Sequence, residues 1–485
     1  MTRTVAAVDL GASSGRVILG HVDARRVELE PVTRFANTPV STMDGLHWNI
    51  LGLFGSVVDG LRAAARRAPE LRSVGVDSWA VDYALLRAGR VLGTPYHYRD
   101  ARNAPAADET HRTVAFAELY RANGLQYLPF TTVYQLVAER DALLPFADRL
   151  LLIPDVLGYW LTGRMAAERT NASTTGLLRI DDGEWNEELL RRLSIPVDIL
   201  PGLIEPGTTI GPIRPELGLP DGVELVAVGS HDTASAVVAV PATDDDFAYI
   251  SSGTWSLVGL ELDAPIVTDA SREANFTNER GVDGRIRFLR NVSGLWLLTE
   301  ALRAWNDAGR SLDLESMLDA ASAVDPARVV LFDTEDPRFI PPGDMAGRIR
   351  DWCVERGIRP PDGPAETVRS IMESLAEAYA ISLRQAATLS GRDIRTVHIV
   401  GGGSRNRLMC QLTADRTGLP VLAGPVEATA IGNVLVQARA LGAVSGSLES
   451  LRAVVAASVQ PVRYQPRPRT AAVRAASHQP EGRLP

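Results

Sequence analysis

Asp232 lies in GSHDTAS (229–235), where a buried apolar run meets a helix of small and apolar residues. A carboxylate there can take a proton from a substrate hydroxyl within hydrogen-bond reach. Aspartate is also an ordinary helix N-cap, and His231 beside it has the same two readings, ligand contact or buried capping residue. Asp9 closes the first apolar run, in AAVDLGASSGRV (6–17). It is a candidate to hold Mg²⁺ through water, because Mg²⁺ keeps several waters and takes few carboxylates; the alternative is a residue that only closes a hairpin. The turn that follows, residues 11 to 16, offers backbone amides, two hydroxyls and a guanidinium that can cradle an anion. Gly and Ser also serve hairpin turns for their φ/ψ freedom alone.

Two more small-residue turns follow buried strands: SSGT (251–254), which ends at Thr254, and GGGSRN (401–406). Gly401, Gly402 and Gly403 let a nucleotide approach the backbone closely, and the start of the next helix favours anions. An ordinary strand-to-helix connection has the same appearance. Three such turns over both halves of the chain point to an ATP site between two lobes, held chiefly by backbone amides. DSWAVDY (77–83) and YHYRDARN (96–103) mix carboxylates, aromatic rings and arginine, as sugar sites and surface loops both do.

Composition narrows the chemistry. The chain contains no lysine, so all 50 of its Lys-plus-Arg residues are arginine. That excludes a Walker-A phosphate loop, a protein-kinase strand lysine and Schiff-base chemistry. A net charge of −9 over 485 residues leaves no basic footprint for nucleic acid. No apolar run approaches the roughly 18 to 20 residues of a spanning helix, and MTRTVAAVDLG has no signal-peptide pattern. With two cysteines, Cys353 and Cys410, the expectation is a cytoplasmic chain with inert thiols.

The elements that must position these residues alternate between strand and helix. Residues 49–67 read as a helix behind an Asn49 cap, 71–86 as strand, polar turn and strand, and 224–240 as strand, turn and helix. After Asp244-Asp245-Asp246 the opening device of strand, small polar turn and strand recurs over 247–262. A long amphipathic helix (366–391) closed by Gly391 then leads into strand, glycine turn, helix and strand over 396–421. This is α/β patterning in two lobes. The lobes are expected at 1–243 and 244–464, with a disordered tail over 465–485.

These pieces together resemble the FGGY family of carbohydrate kinases. The matching segments include AVDLGASSGRV, VDSWAVDYALL, YRDAR, TNASTTGLL, SHDTASAV, YISSGTWSL, LRNVSGLWLL, HIVGGGSRN and AGPVEATAIGN, in family order from about residue 5 to 440. The resemblance implies two ribonuclease-H-like lobes of the actin/hexokinase/Hsp70 kind around an interlobe cleft. It also implies transfer of the ATP γ-phosphate, with Mg²⁺, to the 1-hydroxyl of L-rhamnulose, with L-fuculose, L-ribulose and xylulose as alternatives. By residue it implies ATP contacts at Ala12, Ser13, Ser14, Gly15, Arg16, Thr254, Gly401, Gly402 and Gly403, a proton acceptor at Asp232, and acceptor contacts at His231, Asp232, Thr233 and Asn291. Ala80 stands where these kinases usually carry a sugar-contacting Gly, and Thr299 where a Gln near ATP is common. A nucleotide-driven sensor on the same fold is the reading from another class; Asp232 disfavours it.

Overall fold

The structure, a computed structural model, describes residues 2–467. It divides into two compact units that are not contiguous in sequence. The first takes residues up to Asp245 together with Leu260–Arg290 and Glu427–Gln460; the second takes Asp246–Gly259, Asn291–Val426 and the chain from Pro461. The first unit thus draws on stretches from both sides of residues 243/244. The reason is packing: the helix Ala428–Ala440, late in the sequence, buries its face on the first unit's sheet, where Gln437 Nε2 donates to Ala6 C=O at 3.0 Å.

The first unit is built on a six-stranded sheet ordered Thr209–Pro212, Glu224–Val226, Ser73–Ser78, Arg3–Leu10, Ser14–Val22 and Val27–Ala36. Arg3–Leu10 forms a hairpin with Ser14–Val22 on one side and pairs in parallel with Ser73–Ser78 on the other. Covered on both faces, the central strands read as continuous apolar runs. One cover is the helix Ile50–Arg67, whose Asn49 side chain accepts from Gly52 N–H at 3.1 Å, as the cap signal predicts. Its Val57, Leu61 and Ala64 lie in one core with Val8, Val17 and Val74. After Ser78 the chain leaves this sheet: Tyr83–Arg87 runs between Arg90–Leu92 and Arg149–Leu152 in a separate three-stranded sheet.

The second unit repeats the device. Phe247–Ser252 forms a hairpin with Trp255–Leu262 and pairs in parallel with Thr396–Val400, which is followed by Val421–Ala423 and the antiparallel Val462–Tyr464. The helix Gly363–Ser390 ends at Gly391, whose φ of 68° and bond to Ala387 C=O make the expected left-handed cap. The expected tail falls mostly outside the described residues. At its start, Arg467 is held by Asp415 through Nε at 3.0 Å and Nη2 at 2.6 Å.

Candidate active site

Three aspartates gather at one edge of the first unit because three neighbouring parallel chains end there. Asp9 and Asp77 are partners across their strands, Leu10 pairs with Ser78, and Ser78 bridges in parallel to His231. Asp232 follows directly. The carboxyl ends of parallel strands are where α/β sheets place ligands. Asp77 is fully buried, and burial pushes its carboxyl well above the ordinary range, with the charges of Asp9 and Asp232 adding to the effect. Burial likewise raises Asp232, opposed by His231 and reinforced by Asp9. Each carboxylate thus feels the others.

Asp232 is not the cap of its helix. The helix spans Asp232–Val238, His231 occupies the cap position, and the His231 side chain makes no capping bond. The Asp232 side chain is 30 % exposed, so a ligand can reach it; Oδ1 accepts from Thr233 Oγ1 at 3.1 Å. His231 is buried. Its Nδ1 lies 3.1 Å from Arg287 Nη2 and 3.4 Å from Glu279 Oε2, and its Nε2 lies 3.5 Å from Asp232 Oδ1.

The turn of the first hairpin is closed by Gly11 N–H donating to Ser14 C=O at 2.9 Å, and Asn37 Nδ2 donates to Gly11 C=O at 2.9 Å. Ser13 is exposed, while Ala12 and Ser14 are half-buried. Gly15 is buried for a packing reason: a Cβ there would sit 2.3 Å from the Phe35 ring. Arg16 donates to Asp9 Oδ2 through Nε at 2.9 Å and Nη2 at 2.6 Å, and also pairs with Glu427, the residue before the helix Ala428–Ala440.

In the second unit the other two small-residue turns lie against each other. A Cβ on Gly403 would fall 2.0 Å from Ser252 Oγ, and one on Gly401, at φ 82°, 3.0 Å from Ser252 C=O. Gly402 is exposed, and nothing lies within 4 Å of where its Cβ would be. Thr254 C=O accepts from Trp296 N–H at 3.2 Å, at the start of the helix Trp296–Asp307 that carries the exposed Thr299. Asn291 stands at the point where the chain passes into the second unit, and Ala80 lies in the turn just after Ser73–Ser78.

Two acidic residues were not singled out by sequence. Asp77 Oδ2 accepts from Asn433 Nδ2 at 2.5 Å, while its Oδ1 has no hydrogen-bond partner among the described residues. Glu168, also buried, accepts from Ser230 N–H at 2.9 Å and Ser230 Oγ at 2.7 Å, which fixes the approach to Asp232. Burial raises its pKa. Among the described residues no three His, Cys, Asp or Glu side chains converge as ligands for one metal. Mg²⁺ does not ask for that: it is held through one or two carboxylates, waters and substrate phosphates. Three mutually repelling carboxylates with one unpaired buried oxygen fit a divalent cation in that mode.

Residues 4–239 match the N-terminal domain, and residues 248–441 the C-terminal domain, of the FGGY family of carbohydrate kinases. The chain belongs to this family. Its relatives include the rhamnulokinase of Bacteroides thetaiotaomicron, 39% identical over 473 residues covering 96% of each chain. The rhamnulokinase of Pectobacterium carotovorum is 41% identical over 475 residues, 96% of this chain and 93% of its own. Among solved structures, the gluconate kinase of Lactobacillus acidophilus superposes with a TM-score of 0.77 at 16% identity, over 98% of this chain and 96% of that one. The Plasmodium falciparum glycerol kinase with ADP gives 0.74 at 13% identity, over 96% and 94%. The two-lobed α/β fold expected from the resemblance is the fold of these kinases.

Proposed function

We propose that this chain phosphorylates L-rhamnulose at the 1-hydroxyl, with ATP as donor and Mg²⁺ as the bound cation. The observation that carries this reading is the identity of about 40% to rhamnulokinases over nearly the whole chain, joined to the reachable carboxylate of Asp232. Phosphoryl transfer asks the protein mainly to align the acceptor and stabilise spreading charge. Asp232 takes the hydroxyl proton, and Glu168 holds the segment that delivers it. Asp9 would hold Mg²⁺ through water, and the cation, when bound, would supply charge neutralisation for the phosphates. In this reading residues 12–16 serve the phosphates, and Thr254, Gly401, Gly402, Gly403 and Thr299 serve the nucleotide. His231, Thr233, Asn291 and Ala80 serve the sugar. His231 also stands with Nε2 3.5 Å from Asp232 Oδ1, where it can orient that carboxylate. A cytoplasmic location fits ATP as donor and two buried free thiols, and the partner is a small sugar rather than nucleic acid.

Burial raises Asp232, and only its ionised form can accept a proton. Activity is therefore present above the folded pKa and lost as pH falls through it. The acid limb of kcat/KM should lie above the ordinary aspartate value of about 3.9; a profile flat down to pH 4 contradicts the assignment.

The reading is tested by ADP release with MgATP against L-rhamnulose, L-fuculose, L-ribulose and D-xylulose. Strong preference for L-rhamnulose is expected. Preference for another ketose would keep the chemistry and point to the methyl of Ala80. ADP release indifferent to sugar would instead favour the sensor reading.

A further inference from the structure

Glu279 and Arg287 lie on the two arms of a hairpin, Thr277–Arg280 and Ile286–Ser293, whose register makes them direct partners across the strands. Opposite charges so placed share one face of the ribbon. Here that face is turned inward: Arg287 is 0% exposed and Glu279 5%. A buried guanidinium is tolerated only when its donors are used, and each edge of this one has a task. Nη1 lies 3.1 Å from Glu279 Oε2, Nε donates to Arg280 C=O at 3.1 Å, and Nη2 faces His231 Nδ1 at 3.1 Å. The first two contacts stay within the hairpin. The third leaves it and reaches the residue next to Asp232, with all four side chains in the first unit.

That reach has a chemical consequence. Arginine has donors and no acceptor, so the ring nitrogen that faces Nη2 must offer a lone pair. The imidazole proton then sits on Nε2, since the bond made by one ring nitrogen sets the state of the other. Nε2 is the nitrogen 3.5 Å from Asp232 Oδ1, a long contact of the kind that tightens in a substrate complex. Thr233 Oγ1 donates to the same oxygen at 3.1 Å. Two donors on Oδ1 fix the rotation of the carboxylate. With the proton on Nδ1 instead, Glu279 Oε2 at 3.4 Å would accept it, and the lone pair on Nε2 would face the carboxylate and repel it.

We propose that the Glu279–Arg287 pair is the positioning device of the base: it holds His231 in the Nε2–H tautomer and thereby aims a donor at Asp232 Oδ1. Both are positioning residues that act through His231, and the inference rests on the reading of Asp232 as proton acceptor given above.

The test is a double-mutant cycle. Glu279→Gln together with Arg287→Met removes both charges, so neither is left buried alone, and the pair of changes is made in the wild-type and the His231→Gln backgrounds. In the wild-type background kcat for L-rhamnulose should fall on the order of tenfold, inside the range that coupled neighbours show, with the KM for ATP unchanged. In the His231→Gln background the same changes should alter kcat by less than about twofold, because the ring through which they act is gone. A pair that only supports the fold would lower kcat equally in both backgrounds, and that result overturns the inference. The wild-type protein supplies a second measurement that needs neither the paired variant to fold nor turnover. In histidine nitrogen NMR spectra, His231, one of seven histidines, is assigned by its loss in His231→Gln and should show a protonated Nε2 and an unprotonated Nδ1. A proton on Nδ1 overturns the inference. If the enzyme phosphorylates no ketose, the functional reading fails on its own, and the tautomer still decides the positioning claim.

Discussion

Asp232→Asn should lower kcat by about a thousandfold, within the 10²- to 10⁴-fold span of general acid–base catalysis, while leaving the melting temperature and ATP binding near wild type. The substitution keeps side-chain shape and retains an oxygen for the bond from Thr233 Oγ1, which spans 3.1 Å. What it removes is the ability to accept the hydroxyl proton. It also relieves the crowding of negative charge with Asp9 and Asp77, so a loss of turnover cannot be put down to lost stability. Steady-state kinetics with saturating ketose and MgATP give the answer, and a kcat within tenfold of wild type would remove Asp232 from the role of base.

The second large effect is structural and reaches the same edge of the sheet. Gly432 lies in the helix Ala428–Ala440 where it crosses the helix Asp232–Val238, and a Cβ there would fall 1.8 Å from Ser235 C=O. That oxygen is backbone and cannot swing away. Gly432→Ala should therefore force the two helices apart, cost about 2 to 3 kcal/mol or more as overpacking, and lower the melting temperature by several degrees. In an exposed helix the same change would stabilise by up to about 1 kcal/mol through propensity, so the sign is diagnostic. Turnover should fall as well, because Asn433 on this helix holds Asp77 and Asp232 opens the other. A melting temperature equal to or above wild type would show that the contact yields without cost.

Some of this was legible in the sequence for plain physical reasons. Asp9, Asp232 and the small-residue turns announce themselves because an apolar run that stops at a carboxylate or a glycine is a local pattern. The Asn49 cap is local too. What sequence could not give is set by contacts between distant segments. Asp77 is one letter among seven in DSWAVDY, and what sets it apart is Asn433, 356 residues away, which holds it. Glu168 gains its role only from Ser230, 62 residues on. Gly15 reads in sequence as a turn glycine, and only the structure shows that the Phe35 ring leaves no room for a Cβ there. The division into units was hidden for the same reason: Ala428–Ala440 reads as a helix anywhere, and only its docking assigns it.

The most direct test of the central claim is a phosphorus and carbon NMR spectrum of wild-type enzyme with L-rhamnulose and MgATP. The account predicts a phosphomonoester on carbon 1, formed one for one with ADP. Inorganic phosphate as the only new phosphorus species, or an ester on another carbon, would contradict it.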